Sequence, residues 1–233
     1  MIIWLASFPR SGNTFFRVLL SHLYGIKTYS IYNDPDLERI GASETVGHQV
    51  LPRPVAELAA ASEVYFVKTH EVPNDAFPAI YLVRDGRDAL VSFAHYRESF
   101  YTPRHKIFLK VILRRNTFQS TLRDCIVQTR LFGGWSGNVL AWSGRLHGPT
   151  FVIRYEDLVS APVEWVQKSL EYFNLSQMVG NENVVPSFQE LHDRWPNFFR
   201  KGKVGAWKQE MPGDLQDLFW QHHGAAMRTF KYN

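Results

Sequence analysis

An apolar strand that runs through a polar, glycine-containing turn directly into a helix is the strongest constraint on what this chain can fold into. It is written in Trp4-Leu5-Ala6-Ser7-Phe8-Pro9-Arg10-Ser11-Gly12-Asn13-Thr14. Phe16, Leu19, Leu20 and Leu23 then recur at helical spacing, and Gly25 offers the stop. The first backbone N–H groups of a helix have no intrahelical partner and lie at the positive end of its dipole. Such a junction, carrying Ser, Thr and a cation, is a phosphate cradle. It is not a Walker A loop, because the first glycine and the terminal lysine of that pattern are absent.

Further short β-rich runs, Tyr65 to Lys68, Ala79 to Val83 and Phe151 to Tyr155, alternate with helical patterns over Asp88 to Arg97 and Pro162 to Phe173. Strands alternating with helices predict a largely parallel sheet covered on both faces. At 233 residues the chain suits one α/β domain over 1–233. Residues 26 to 62, with Asp34-Pro35, Pro52 and Pro54, read as a cap or loop region; residues 104 to 131 read as a basic helical stretch.

The formal charge of +4 fits an anionic small ligand, and on charge alone equally a nucleic acid or an anionic surface. No block of lysine and arginine alone marks a nucleic-acid tail. Cys125 is the sole cysteine, which leaves no intrachain disulfide or cysteine zinc site and makes a cytoplasmic setting the expectation. Strand-like sequence from Ile2 onward and apolar runs far short of ~18 residues lead to the expectation of neither a leader nor a membrane span.

Phe66-Val67-Lys68-Thr69-His70 ends a strand with two ionisable groups on one face, at the carboxyl end where open α/β sheets bind ligands. Histidine can accept a proton near neutral pH and lysine can stabilise developing negative charge. Taken alone, the pair also reads as a surface histidine and a solvated lysine. Arg84 follows the strand Ala79 to Val83, and Ser92 lies in the next helix, where the two could hold a phosphate. The same Arg84, Asp85, Arg87 and Asp88 also fit a surface salt-bridge pattern. Phe199-Arg200-Lys201-Gly202-Lys203-Val204-Gly205 reads as an anion-binding basic loop or as an exposed turn.

In combination and order, Ser7 to Thr14, Lys68-Thr69-His70, Arg84 with Ser92, Arg154-Tyr155-Glu156-Asp157-Leu158 and Arg200-Lys201-Gly202 resemble the cytosolic-type sulfotransferase family, from residue 4 to about residue 208. The resemblance implies a P-loop-like three-layer α/β fold with a central, mainly parallel sheet flanked by helices. It implies sulfuryl transfer from 3'-phosphoadenosine 5'-phosphosulfate (PAPS) to a hydroxyl or amine of a small-molecule or saccharide acceptor, with 3'-phosphoadenosine 5'-phosphate (PAP) as product and no metal. Carried over, Arg10, Ser11, Gly12, Asn13 and Thr14 would cradle the 5'-phosphosulfate, with Phe15 against adenine. Arg84, Ser92, Arg200, Lys201 and Gly202 would clamp the 3'-phosphate. Tyr155 and the Ser187-Phe188 segment would meet the base. His70 would be the general base, with Glu71 as the fallback, and Lys68 and Arg10 would stabilise the transferring group. Gly133-Gly134-Trp135, Val139 and Trp142 resemble a packing block, and Trp207 reads as core.

Three departures stand out. Arg10 replaces a lysine common in relatives, and Ala206 replaces an acid. The dimerisation motif of many animal relatives is absent after Trp207, which leaves the oligomeric state open. Two competing readings are a P-loop nucleoside or sugar kinase and a nucleotide-binding module without catalysis. Acceptor walls are expected from residues 26 to 62 and 96 to 131, where Tyr29, Tyr32, Tyr96, Phe100, Tyr101 and Phe108 gather. Lys106, Lys110, Arg114 and Arg115 read as a solvated face.

Overall fold

Five parallel strands form one sheet in the order β2-β3-β1-β4-β5. The structure is a computed structural model that describes residues 1–99, 117–176, 185–196, 198–200 and 202–233. The strands are β1 (Ile2–Ser7), β2 (Thr28–Ser30), β3 (Tyr65–Thr69), β4 (Ala79–Val83) and β5 (Thr150–Arg154). Helix α1 (Asn13–Tyr24) follows β1, short helices α2 (Pro35–Arg39), α3 (Ser43–Val46) and α4 (Val55–Ala59) fill the stretch from β2 to β3, and α5 (Gly86–Ser99) follows β4. Then come α6 (Thr117–Val127), α7 (Gly134–Ser143), α8 (Tyr155–Ser160), α9 (Pro162–Tyr172), α10 (Phe188–Arg194) and α11 (Gly213–Thr229).

Period-2 alternation assigns each residue of β1 to one of two cores. Ile2, Trp4 and Ala6 join Leu90, Trp135, Trp142 and Phe219 on one face. Ile3 and Leu5 join Phe16, Leu19, Leu20, Val166 and Leu170 on the other. Burial on both faces explains why the strands read as continuous apolar runs, and each fully buried Leu, Ile or Phe contributes about 1.5–3 kcal/mol. The expected three-layer α/β fold is therefore the observed one.

Helix α1 ends as its sequence predicts, with Gly25 in left-handed backbone at φ 63 capping Leu20 and Ser21 carbonyls. The cap region is only partly irregular, since Thr28–Ser30 adds a strand at the sheet edge beside β3. Three residues are too few to show a period. Because β1 pairs with β3 on one side and β4 on the other, its carboxyl end is a topological switch point, where a crevice opens.

Candidate active site

The crevice is a cavity of about 340 Å³ at the carboxyl ends of β1, β3 and β4. One wall is the turn between β1 and α1. Arg10 stands in left-handed backbone at φ 67 and Gly12 at φ 99. Gly12 is required there twice over, by its φ and because an added Cβ would come within 2.5 Å of the Tyr155 ring. The turn presents the opening N–H groups of α1 to the cavity, which Gly12, Asn13, Thr14 and Phe15 line. The Asn13 side chain points the other way and donates to the Leu5 carbonyl at 2.8 Å, so it ties the turn to β1. The Ser11 hydroxyl is buried without a partner among the described residues.

Arg10 and Arg84 converge on this turn. Arg10 Nε donates to Ser92 Oγ at 3.2 Å and its Nη2 to the Phe198 carbonyl at 2.8 Å. Burial, reinforced by neighbouring Arg84, lowers the Arg10 guanidinium to about 10. Arg84 lies over the Tyr155 ring at 4.5 Å and donates to the Arg10 and Lys203 carbonyls, each at 3.1 Å. Its buried Nε has no partner among the described residues, and neither does Nε of Arg200. Arg200 faces Glu210 through three contacts of 3.2 Å, and Glu210 also meets His95 Nε2 at 2.5 Å.

Asp88 anchors the basic loop. Its carboxylate accepts from the backbone N–H of Gly205 at 2.7 Å and of Trp207 at 2.9 Å. Arg84, Asp85, Arg87 and Asp88 are all buried, so the surface salt-bridge reading of this tetrad does not hold. Asp85 binds Arg87 at 2.7 Å, and Arg87 stacks on Trp207 at 4.0 Å. Trp207 is half-buried beneath that guanidinium rather than deep in the core. Tyr155 donates to the Gly202 carbonyl at 3.0 Å. Gly202 itself, at φ 59, packs so closely on Phe188 that a Cβ would stand 2.4 Å from its ring.

The opposite wall holds the pair from β3. His70 Nδ1 lies 2.8 Å from the Ser7 carbonyl, which can only accept, so the ring proton sits on Nδ1 and Nε2 keeps its lone pair. Tyr32 stacks on the imidazole at 5.7 Å and accepts the His70 backbone N–H, and Phe132 meets the ring edge-on. Burial, with Lys68 adding to it, drives the His70 imidazolium down to about 3, so the ring is neutral at physiological pH. Lys68 Nζ pairs with Asp34 Oδ1 at 2.8 Å, and Arg17 takes Asp34 Oδ2 at 2.5 Å. Burial would raise the Asp34 carboxyl, but Lys68 and Arg17 outweigh it and hold it below the usual carboxylate range. Glu71 accepts from the Tyr32 hydroxyl at 3.2 Å.

The cavity thus brings together Arg10, Gly12, Asn13, Thr14, Phe15, Lys68, His70, Arg84, Ser92, Tyr155, Phe188, Arg200 and Gly202. Ser11 lies buried in the turn behind them. Ser187 instead caps α10, accepting from the Glu190 N–H while Glu190 reaches back to its backbone. Lys201 lies outside the described residues, as do Phe100, Tyr101, Phe108 and the basic residues from Lys106 to Arg115. Of the expected acceptor aromatics, Tyr32 and Tyr96 line the cavity and Tyr29 does not. Sequence reasoning missed Asp34, Phe132 and Phe198, which also line it, and Arg17 behind Asp34. The one signal for Asp34 was a lone Asp-Pro step within a segment read as loop.

The turn at the switch point and the histidine–lysine pair thus face each other across one cavity. The profile of the sulfotransferase domain family matches residues 2–231, and the chain belongs to that family. The WSCD family member GA21586 of Drosophila pseudoobscura pseudoobscura is 31% identical over 176 residues, 74% of this chain and 50% of that protein. Mouse sulfotransferase 4A1 is 22% identical over 236 residues, 93% of this chain and 77% of that protein. The chain spans about half the length of the WSCD relatives it matches. Among solved structures, mouse sulfotransferase SULT7A1 complexed with PAP superposes with TM-score 0.64 at 20% identity, covering 97% of this chain and 83% of that one. Retinol dehydratase in complex with androsterone and inactive cofactor PAP gives 0.63 at 18%, covering 97% and 80%. These two likenesses show the fold.

Proposed function

We propose that the chain, acting as a single domain, transfers a sulfuryl group from PAPS to the hydroxyl of a small-molecule acceptor, releasing PAP. One observation carries the reading: a single cavity joins the β1–α1 cradle and Arg84 to the Lys68–His70 pair. The buried Ser11 Oγ, Arg84 Nε and Arg200 Nε, unpartnered among the described residues, fit an anionic ligand at the start of α1. Both named structural neighbours are PAP complexes, and one also holds the small hydroxylated molecule androsterone.

PAPS supplies an activated sulfuryl group. The protein residues position the reactants and manage charge, as in phosphoryl transfer. The amides of residues 13–15, the Thr14 hydroxyl and Arg10 hold the 5'-phosphate, and Arg84 and Arg200 with Ser92 hold the 3'-phosphate. Neutral His70 takes the acceptor's hydroxyl proton at Nε2. The acceptor oxygen bonds to sulfur as the bond from sulfur to the 5'-phosphate oxygen breaks, and that oxygen keeps the electron pair. Arg10 and Lys68 stabilise the charge arriving there. Tyr32 and Phe132 pack on His70, and Tyr96 and Phe198 line the same cavity beside Arg10, an aromatic surface that suits a small acceptor with an apolar body.

No described helix is long and apolar enough to cross a membrane. Among the described residues no group of three or more His, Cys, Asp and Glu side chains could hold a metal. Calorimetry with PAP and ATP, then labelled-sulfate transfer across phenols, sterols and saccharides, tests the reading. Tight PAP binding with transfer supports it, whereas preference for ATP would favour a kinase. PAP binding with no transfer to any acceptor would favour an inactive binding module.

A further inference from the structure

Lys68 holds its ammonium at the His70 end of the cavity, although only 13% of its side chain is exposed. A buried ammonium keeps its proton only if a counter-charge faces it. Asp34 is that counter-charge, with Oδ1 at 2.8 Å from Lys68 and Oδ2 at 2.5 Å from Arg17. Arg17 is satisfied by two further acceptors, Thr28 Oγ1 and His48 Nδ1, and His48 donates through Nε2 to the Asn33 carbonyl. Asn33 and Asp34 both adopt left-handed backbone, at φ 55 and 35. Asn and Asp are the non-glycine residues that enter that region most readily. The left-handed turn after β2 delivers one carboxylate oxygen to Lys68.

We propose that Asp34 is a positioning residue for sulfuryl transfer, holding the Lys68 ammonium charged and directed at the His70 end of the cavity; this rests on the transfer reading above. The groups facing Lys68 are Asp34 and Tyr32 from the turn after β2, Arg17 from α1, Arg10 from the β1–α1 turn and His70 just past the end of β3, with His48 behind Arg17. Burial pulls the proton affinity of Lys68 down, Asp34 opposes that, and Arg17 and Arg10 add to the fall. Without the Asp34 charge, Lys68 would give up its proton at lower pH. His70, already neutral, would be unaffected across the same range.

The test measures single-turnover formation of PAP from bound PAPS, with 2-naphthol or with water alone as acceptor, from about pH 5 to about pH 9. Wild type is compared with Asp34→Asn, Asp34→Glu, Lys68→Ala and the Asp34→Asn/Lys68→Ala double variant. Asp34→Asn is expected to slow the step on the order of tenfold at neutral pH and to recover on acidification, because Lys68 regains its proton. Its affinity for PAP should stay within about twofold of wild type. Asp34→Asn should add nothing in the Lys68→Ala background, and Asp34→Glu should be slower with an unmoved alkaline limb. An unmoved limb in Asp34→Asn, or an equal slowing on top of Lys68→Ala, overturns the proposal, as does a parallel loss of rate and PAP affinity. Should Asp34→Asn fail to fold, Asp34→Glu decides, and a wild-type rate there overturns it. A wild-type protein that binds PAPS but forms no PAP with either acceptor overturns the transfer reading itself.

Discussion

The Tyr155 ring lies 2.5 Å from the point where a Cβ on Gly12 would stand. Gly12 is the residue that lets the chain leave β1, turn at φ 99 and enter α1 beneath that ring. Gly12→Ala should therefore cost about 1–3 kcal/mol of stability from backbone strain alone, with more from the displaced ring. Urea unfolding and PAP calorimetry on the same variant check this, and an alanine variant that kept both stability and PAP affinity would contradict the close packing.

His70 is held by the Ser7 carbonyl so that Nε2 keeps its lone pair at the cavity. His70→Ala should lower turnover by on the order of 10² to 10⁴ while PAP affinity changes little. Steady-state rates beside calorimetric PAP titration separate the two effects. Unchanged turnover would remove His70 as the base and direct attention to Glu71.

Two histidines, half-buried His70 at the cavity and buried His223, respond to acid. Burial is the main cause in both, lowering His70 to about 3 and His223 to about 4 from an ordinary 6.5. Below pH 6.5 the unfolded chain takes up these protons while the folded chain does not, so stability falls with pH. The contribution is fully present above pH 6.5 and is lost through the window between 6.5 and the folded values. Melting temperatures should be level near neutrality and decline steadily from about pH 6.5 toward pH 4, less steeply in His223→Gln. A flat profile down to pH 4 would count against the lowered proton affinity of both rings.

Glu210 occupies the Arg200 guanidinium that the proposed 3'-phosphate would need. Glu210→Gln removes that competing charge, and PAP affinity should rise about two- to fivefold, most visibly at low salt. Weaker binding would mean that Glu210 holds the loop in shape rather than competing for Arg200.

Much of the fold was legible because its signals are local. Four of the five strands showed as apolar runs, and the spacing from Phe16 to Leu23 with Gly25 marked α1. The cradle was legible for the same reason, since strand, turn and helix start are contiguous in the chain. Lys68 and His70 shared a face by period alone. The β2 strand escaped notice because Thr28–Ser30 is too short for alternation to appear. The tetrad from Arg84 to Asp88 looked like surface charge because nothing in its sequence reveals the loop that covers it. Its acceptors and donors, Gly205, Trp207 and Lys203, lie more than a hundred residues away.

The sequence by itself determined the parallel α/β architecture, the strand–turn–helix junction at the end of β1 and the lysine–histidine pair at the end of β3. Each depends on periodicity or on residues adjacent in the chain. Only the tertiary structure decided that Asp34 neutralises Lys68, that Asp88 anchors the 202–209 loop over Arg84, and that Phe132 and Phe198 close the cavity. Those pairings join segments far apart in sequence, and a buried charge reveals its partner only once the chain has excluded water around both.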